Sequence, residues 1–136
     1  MRVLFLCVGN SARSQMAEAI LEHRGGERFD VESAGTNATA VNPLTVAVLA
    51  EIGIDWSGAR SKPVTEFLGQ SFDLVITVCD EAREACPVFP GATRQLHWSF
   101  RDPAAVVSPT EARLAAFRAV RDEIDRAIRT LVASDR

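Results

Sequence analysis

The 136-residue chain is poor in several residues on which common protein chemistries rest: it has three cysteines, two histidines and no tyrosine. Three cysteines are an odd number without secretory context, which argues against a permanent disulfide framework and leaves free thiols or transient redox partners. No CxxC pair and no helix-turn-helix reader is present, and no metal site is expected. His23 lies near a helix end and His97 in a strand pattern, so both read as structural rather than as catalytic base or metal ligand. Long apolar runs are also missing. Val3 to Val8 is too short for a membrane span, and Asn10, Arg13 and Glu18 soon interrupt what would be a signal-peptide core. A soluble, cytoplasmic protein is expected. Net charge is only −3 and no polybasic block occurs, so neither nucleic acid nor an anionic membrane meets a broad electrostatic footprint. Any anion must be caught locally. The length and a hydrophobic content of 47% suit one domain, residues 1–136, with a sizeable core. A monomer is expected.

What is present alternates between strand and helix. Val3 to Leu6 is continuously apolar, as a strand covered on both faces should be, and Met16, Ala17, Ile20 and Leu21 follow at helical spacing. Gly25 and Gly26 stop that helix. "FDVESAG" gives a second strand. Asn42 and Pro43 read as N-cap and first turn of a helix with Leu44, Ala47, Val48 and Ile52 on one face and Gly53 closing it. Residues 56–67 read as a loop with one short helical turn. Phe72 to Val78 reads as a third strand, and "RQLHWSF" as a half-buried fourth through the alternation of Leu96, Trp98 and Phe100. Ser108, Pro109 and Glu111 suggest a capping box, after which Leu114, Phe117, Val120, Ile124, Ile128 and Leu131 mark a long amphipathic helix. Such alternation implies an α/β fold, doubly wound on a parallel sheet that binds ligands beyond the carboxyl ends of its strands. Cys7, Cys79 and Asp102 should therefore collect at one edge.

Between Cys7 and Arg13 lie Val8, Gly9, Asn10, Ser11 and Ala12, a small-residue loop ending at a helix amino terminus. Unpartnered N–H groups and the helix dipole there suit a tetrahedral oxyanion, with Arg13 gripping two of its oxygens. The same field, with Ser14 as a hydroxyl donor, favours the thiolate of Cys7, the nucleophilic form. Asn10 tolerates a left-handed backbone and can hold the loop's shape. Alone, a cysteine at a strand end is more often a small core residue; its place between buried strand and helix, with Gly9, Ser11 and Ser14, favours chemistry. Asp102, before Pro103, is usually a turn residue. Beside the cradle it becomes the general acid that a departing oxygen on phosphorus or arsenic requires.

These motifs resemble the low-molecular-weight protein tyrosine phosphatase superfamily, and more closely its thioredoxin-coupled arsenate reductase branch. The stretches that carry the resemblance are "VLFLCVGNSARSQMAEA", "VESAGT", "VNP", "ITVCDEAREACP", "HWSFRDPA" and "FRAVRDEI". The resemblance implies a four-stranded sheet in the order 2-1-3-4 with helices on both faces. It also implies Cys7 as nucleophile, Asn10 as loop organiser, Arg13 as oxyanion ligand, Ser14 as thiolate stabiliser and Asp102 as acid. Ala104 and Ala105 follow the Asp-Pro where many phosphatases have tyrosines, which leans away from a phosphotyrosine substrate. "CDEAREACP" points to the reductase. In a helix, Cys79 and Cys86 would stand about 10 Å apart at Cα, beyond the roughly 4.4–6.8 Å of a disulfide, so a bridge needs local unwinding.

The implied activity is reduction of arsenate to arsenite for arsenic detoxification, through a Cys7–Cys79 and then a Cys79–Cys86 disulfide delivered to thioredoxin as external reductant. A bridge formed within the chain favours thioredoxin over a small thiol, and phosphate or sulfate would act as substrate analogues. No bound cofactor is expected. Many such reductases carry a further cysteine at the position of Ala12, which is outside the relay. Some members bind potassium near residues matching Asn10, Glu18 and Ser33, with an acidic residue where this chain has Lys62; a lysine ammonium can replace the cation, which argues against potassium dependence. Two rivals stand beside the reductase. One is a phosphatase using Cys7, Arg13 and Asp102. The other is a non-enzymatic thiol sensor binding arsenite or a soft metal, which would need neither Arg13 nor Asp102.

Overall fold

The computed structural model describes residues 1–80 and 89–135. Cys86, and with it the distal half of the expected cysteine pair, lies outside the described residues. The chain runs through β1 (Arg2–Cys7), α1 (Arg13–Gly25), β2 (Asp30–Gly35), α2 (Pro43–Ala50), β3 (Phe72–Thr77), β4 (Ala92–His97) and α3 (Thr110–Ser134). The strands form one parallel sheet in the order β2-β1-β3-β4. This is the order that the resemblance implied.

β1 is central and carries no polar side chain between Arg2 and Cys7, and Val3 through Leu6 are fully buried. Strand alternation divides them. Val3, Phe5 and Cys7 face a core built with Met16 and Ile20 of α1, Val48 and Leu49 of α2, and Phe117, Val120, Ile124 and Ile128 of α3. Leu4 and Leu6 face a second cluster with Phe67, Phe72, Val75 and Phe89. The second is covered in part by a short 3-10 turn, Val64–Phe67. Each fully buried Leu, Ile or Phe contributes roughly 1.5–3 kcal/mol. No helix among the described residues is long and apolar enough to cross a membrane.

Three local expectations are corrected. The fourth strand is Ala92–His97, not residues 94–100: its ladder ends at Thr77 opposite His97. Trp98 and Phe100 continue the apolar alternation for a different reason, since Trp98 packs on Phe5 and Phe100 on Trp98 outside the ladder. On α2 the buried face is Thr45, Val48 and Leu49, and Ala47 is exposed. Asn42 does cap this helix, with Oδ1 accepting from the Leu44 amide at 2.9 Å. Ser108 does not cap α3. Pro109 occupies the N-cap and offers no side-chain acceptor.

Candidate active site

The loop after β1 is held open from outside. The carbonyl of Cys7 accepts from Thr36 N, that of Val8 from Asn37 N, that of Gly9 from Thr39 N, and that of Ser11 from Asn42 N, all at 2.9–3.0 Å. Ser61 Oγ also donates to Gly9 O at 2.8 Å, and Thr45 Oγ1 to Ser11 O at 2.9 Å. With its carbonyls engaged outward, the loop is left with its N–H groups as donors on the inner side, as an anion site requires. They border a cavity of about 250 Å³ lined by Cys7, Val8, Gly9, Ser11, Ala12 and Arg13 and closed by Asp102 and Ala104.

Asn10 is the loop's keystone. It is fully buried and has a left-handed backbone, φ 49°, a conformation that asparagine tolerates better than most residues. Its Nδ2 donates to Ser14 Oγ at 2.8 Å and Ser33 Oγ at 2.9 Å. Its Oδ1 accepts from Gln15 Nε2 at 2.9 Å and from the Lys62 amide at 2.8 Å. Ser33 passes the network on to Glu18 Oε1 at 2.5 Å, and the Lys62 ammonium lies 3.4 Å from Glu18 and 3.0 Å from Glu32. Burial raises the pKa of the Glu18 carboxyl against the opposing pull of Ser33 and Lys62.

Cys7 is 4% exposed and its thiol is driven well below the ordinary value, to about 6. The largest cause is a hydrogen bond from the fully buried Cys79; burial opposes it, while the Arg13 charge and the N–H groups of Val8 and Ser14 assist. Ser14 thus reaches the sulfur through its backbone, and its hydroxyl oxygen accepts from Asn10. Arg13 is fixed by Phe100 O at 3.1 Å, and its other terminal nitrogen stands 4.0 Å from Asp102 Oδ2. Asp102 is about half exposed, with Oδ1 accepting from Ala104 N at 3.0 Å. Cys7, Arg13, Cys79 and Asp102 therefore meet at one sheet edge. The arrangement places a thiol of lowered pKa beside an anion cradle, a carboxyl group and a second thiol.

The family model described as low molecular weight phosphotyrosine protein phosphatase matches residues 2–135. The chain belongs to that family. Within it, the chain is 45% identical over 128 residues to an arsenate reductase of Halalkalibacterium halodurans, an alignment that covers 94% of this chain and 92% of the relative. A solved structure described as an arsenate reductase in the phosphate binding state superposes with a TM-score of 0.84 at 32% identity, over 98% of this chain and 97% of the other. A thioredoxin-dependent arsenate reductase of Corynebacterium glutamicum gives 0.76 at 34% identity, over 98% of this chain and 60% of the other.

This phosphatase-family site depends on residues that sequence reasoning passed over. Gln15 is fully buried and ties Asn10 to the Arg60 carbonyl at 3.0 Å, while its Oε1 accepts from Trp56 Nε1 at 2.8 Å. A larger cavity of about 470 Å³ lies on that side of the loop, bordered by Gln15, Glu18, Glu32, Trp56, Arg60 and Lys62. No cysteine, serine or threonine lines it, and Glu18, Glu32, Arg60 and Lys62 are all ion-paired. Gly35 ends β2 beside the loop. A Cβ there would stand 2.3 Å from Val8 O and 3.0 Å from Asn10 N, both backbone atoms. Gly35→Ala is therefore expected to destabilise the protein by about 1–3 kcal/mol through overpacking and to weaken inorganic phosphate binding as the cradle shifts. Thermal unfolding and phosphate titration check both.

Proposed function

We propose that the chain reduces arsenate to arsenite by a three-thiol relay that thioredoxin resets. The observation that carries this reading is that Cys79 is fully buried in the same core cluster as Cys7, where it is the largest influence lowering the Cys7 pKa. Ester hydrolysis requires the cradle, Arg13 and Asp102 but no second sulfur. A relay requires one within reach.

The Cys7 thiolate attacks arsenic(V) held in the cradle, and an arsenic-bound oxygen leaves as water with a proton from Asp102. Cys79 then attacks Cys7 Sγ as thiolate. The S–S bond forms, the Cys7–arsenic bond breaks, and its electron pair stays on arsenic, which departs as arsenite, now arsenic(III). Two thiols have been oxidised by the loss of two electrons. Cys86 attacks Cys79 Sγ, frees the Cys7 thiolate and leaves a Cys79–Cys86 disulfide, which the thioredoxin dithiol reduces. In this reading the Lys62 ammonium, between Glu18 and Glu32, supplies the positive charge behind Asn10 and the enzyme needs no potassium.

The same first step on a phosphate ester gives a phosphocysteine, so slow hydrolysis of aryl phosphates is expected alongside reduction. Ala104 borders the cavity and offers no aromatic wall for a phenol ring. The deciding experiment is NADPH oxidation with arsenate, thioredoxin and thioredoxin reductase. Wild type turns over repeatedly, whereas Cys86→Ser stops after one turnover with a Cys7–Cys79 disulfide. NADPH consumption by neither protein, with aryl phosphate hydrolysis by both, would return the chain to the phosphatases.

A further inference from the structure

His97 was read as a structural residue, and its contacts give it a sharper task. It ends β4 directly opposite Thr77, the last residue of β3. Its Nδ1 lies 2.7 Å from Thr77 Oγ1 and its Nε2 lies 2.8 Å from Asp80 Oδ1. One imidazole therefore ties together both ends of the tetrapeptide Thr77-Val78-Cys79-Asp80, which carries the second thiol. A carboxylate can only accept, so Nε2 holds a proton toward Asp80, and with both nitrogens engaged the ring cannot turn without losing a bond. The backbone of the same segment is pinned from both sides, Val78 N to Leu6 O at 2.9 Å and Trp98 N to Thr77 O at 2.8 Å. Beyond Val78 the tie from Asp80 to His97 runs through an exposed carboxylate and a half-buried ring, their side chains 64% and 18% accessible.

We infer that His97, acting through Asp80, is a positioning residue that aims Cys79 at Cys7. The role bears on the second step, in which the Cys7–Cys79 bond forms as the Cys7–arsenic bond breaks and its electron pair passes to arsenic; it rests on the relay proposed above. A thiol that must attack in line with a breaking bond is sensitive to displacements of about 1 Å, which can cost on the order of 100-fold in rate. Anion capture by the loop does not use the segment and should not respond.

The test uses Cys86→Ser as parent, where the relay halts at Cys7–Cys79, and follows disulfide formation after arsenate addition by acid quench, alkylation and mass spectrometry. Asp80→Ala, an exposed substitution, is expected to slow the bond by about tenfold or more, while Asp80→Asn, which keeps an acceptor oxygen, stays within about threefold of the parent. His97→Asn should slow it comparably, and the double variant should be no slower than either single one. Affinity for inorganic phosphate should be unchanged throughout. A normal disulfide rate in Asp80→Ala overturns the role, as does an equal loss of phosphate affinity, which would mark a general disturbance. Absence of the disulfide in the Cys86→Ser parent would instead overturn the relay, and this role with it.

Discussion

Serine in place of Cys7 is expected to lower arsenate turnover by roughly 10⁴-fold or more, the scale seen when a covalent nucleophile is removed. The replacement is nearly isosteric, so the cradle should still bind phosphate; what disappears is a group that ionises. The loop is built to make that ion. Cys79, Arg13 and two backbone N–H groups bring the Cys7 thiol to about 6 against the penalty of burial. A group with a lowered pKa is charged above it, so the rate of Cys7 alkylation by iodoacetamide should rise with pH to a plateau, with its midpoint near 6. Because the Cys79 hydrogen bond is the largest cause, Cys79→Ala should move that midpoint upward. A wild-type midpoint in the ordinary thiol range would mean that the donors do not act on the sulfur.

Much of this site was legible because it is local in sequence. Strand, small-residue loop and helix follow one another from Val3 to Leu21, so the physics that joins a nucleophile to an anion cradle is contained in one short stretch. The central strand could be read for the same reason: Val3 to Leu6 has no polar face, and only a strand covered on both sides needs none. The end of β4 could not. Hydrophobic alternation reports burial, and Trp98 and Phe100 are sheltered by ring packing after the ladder has stopped.

The supports of the cradle were hidden by distance and polarity. Gln15, Thr45 and Ser61 read as surface residues until their partners are known, and Gln15 finds Trp56 and Arg60 more than 40 positions away. Arg121 on α3 is a similar case. It is 9% exposed within an otherwise apolar face because its guanidinium reaches Val48 O at 2.9 Å and Glu51 Oε1 at 2.8 Å on the neighbouring helix segment. Gly35 gives no sign at all in sequence that its missing Cβ makes room for two loop backbone atoms. Polar residues can be assigned to a core only after the fold has brought their acceptors to them.

Asp102→Asn should reduce arsenate turnover by about 10²–10⁴-fold, the usual worth of a general acid. Its setting suits the role. The carboxylate borders the cavity, Ala104 N holds Oδ1, and Oδ2 stands 4.0 Å from the Arg13 guanidinium. Asparagine keeps the size and the acceptor for Ala104, so the loop should keep its shape and phosphate affinity should change little. The proton alone is lost. Arsenate must expel an oxygen as water, a leaving group that cannot depart unprotonated, and should therefore suffer most. An aryl phosphate with an acidic phenol leaves readily as the anion and should suffer least, so the defect of Asp102→Asn should shrink as the phenol becomes more acidic. Rates plotted against leaving-group acidity for both proteins make the comparison. If the two lines run parallel, Asp102 serves to orient Arg13 rather than to deliver a proton; if they converge toward the acidic phenols, proton delivery is its work.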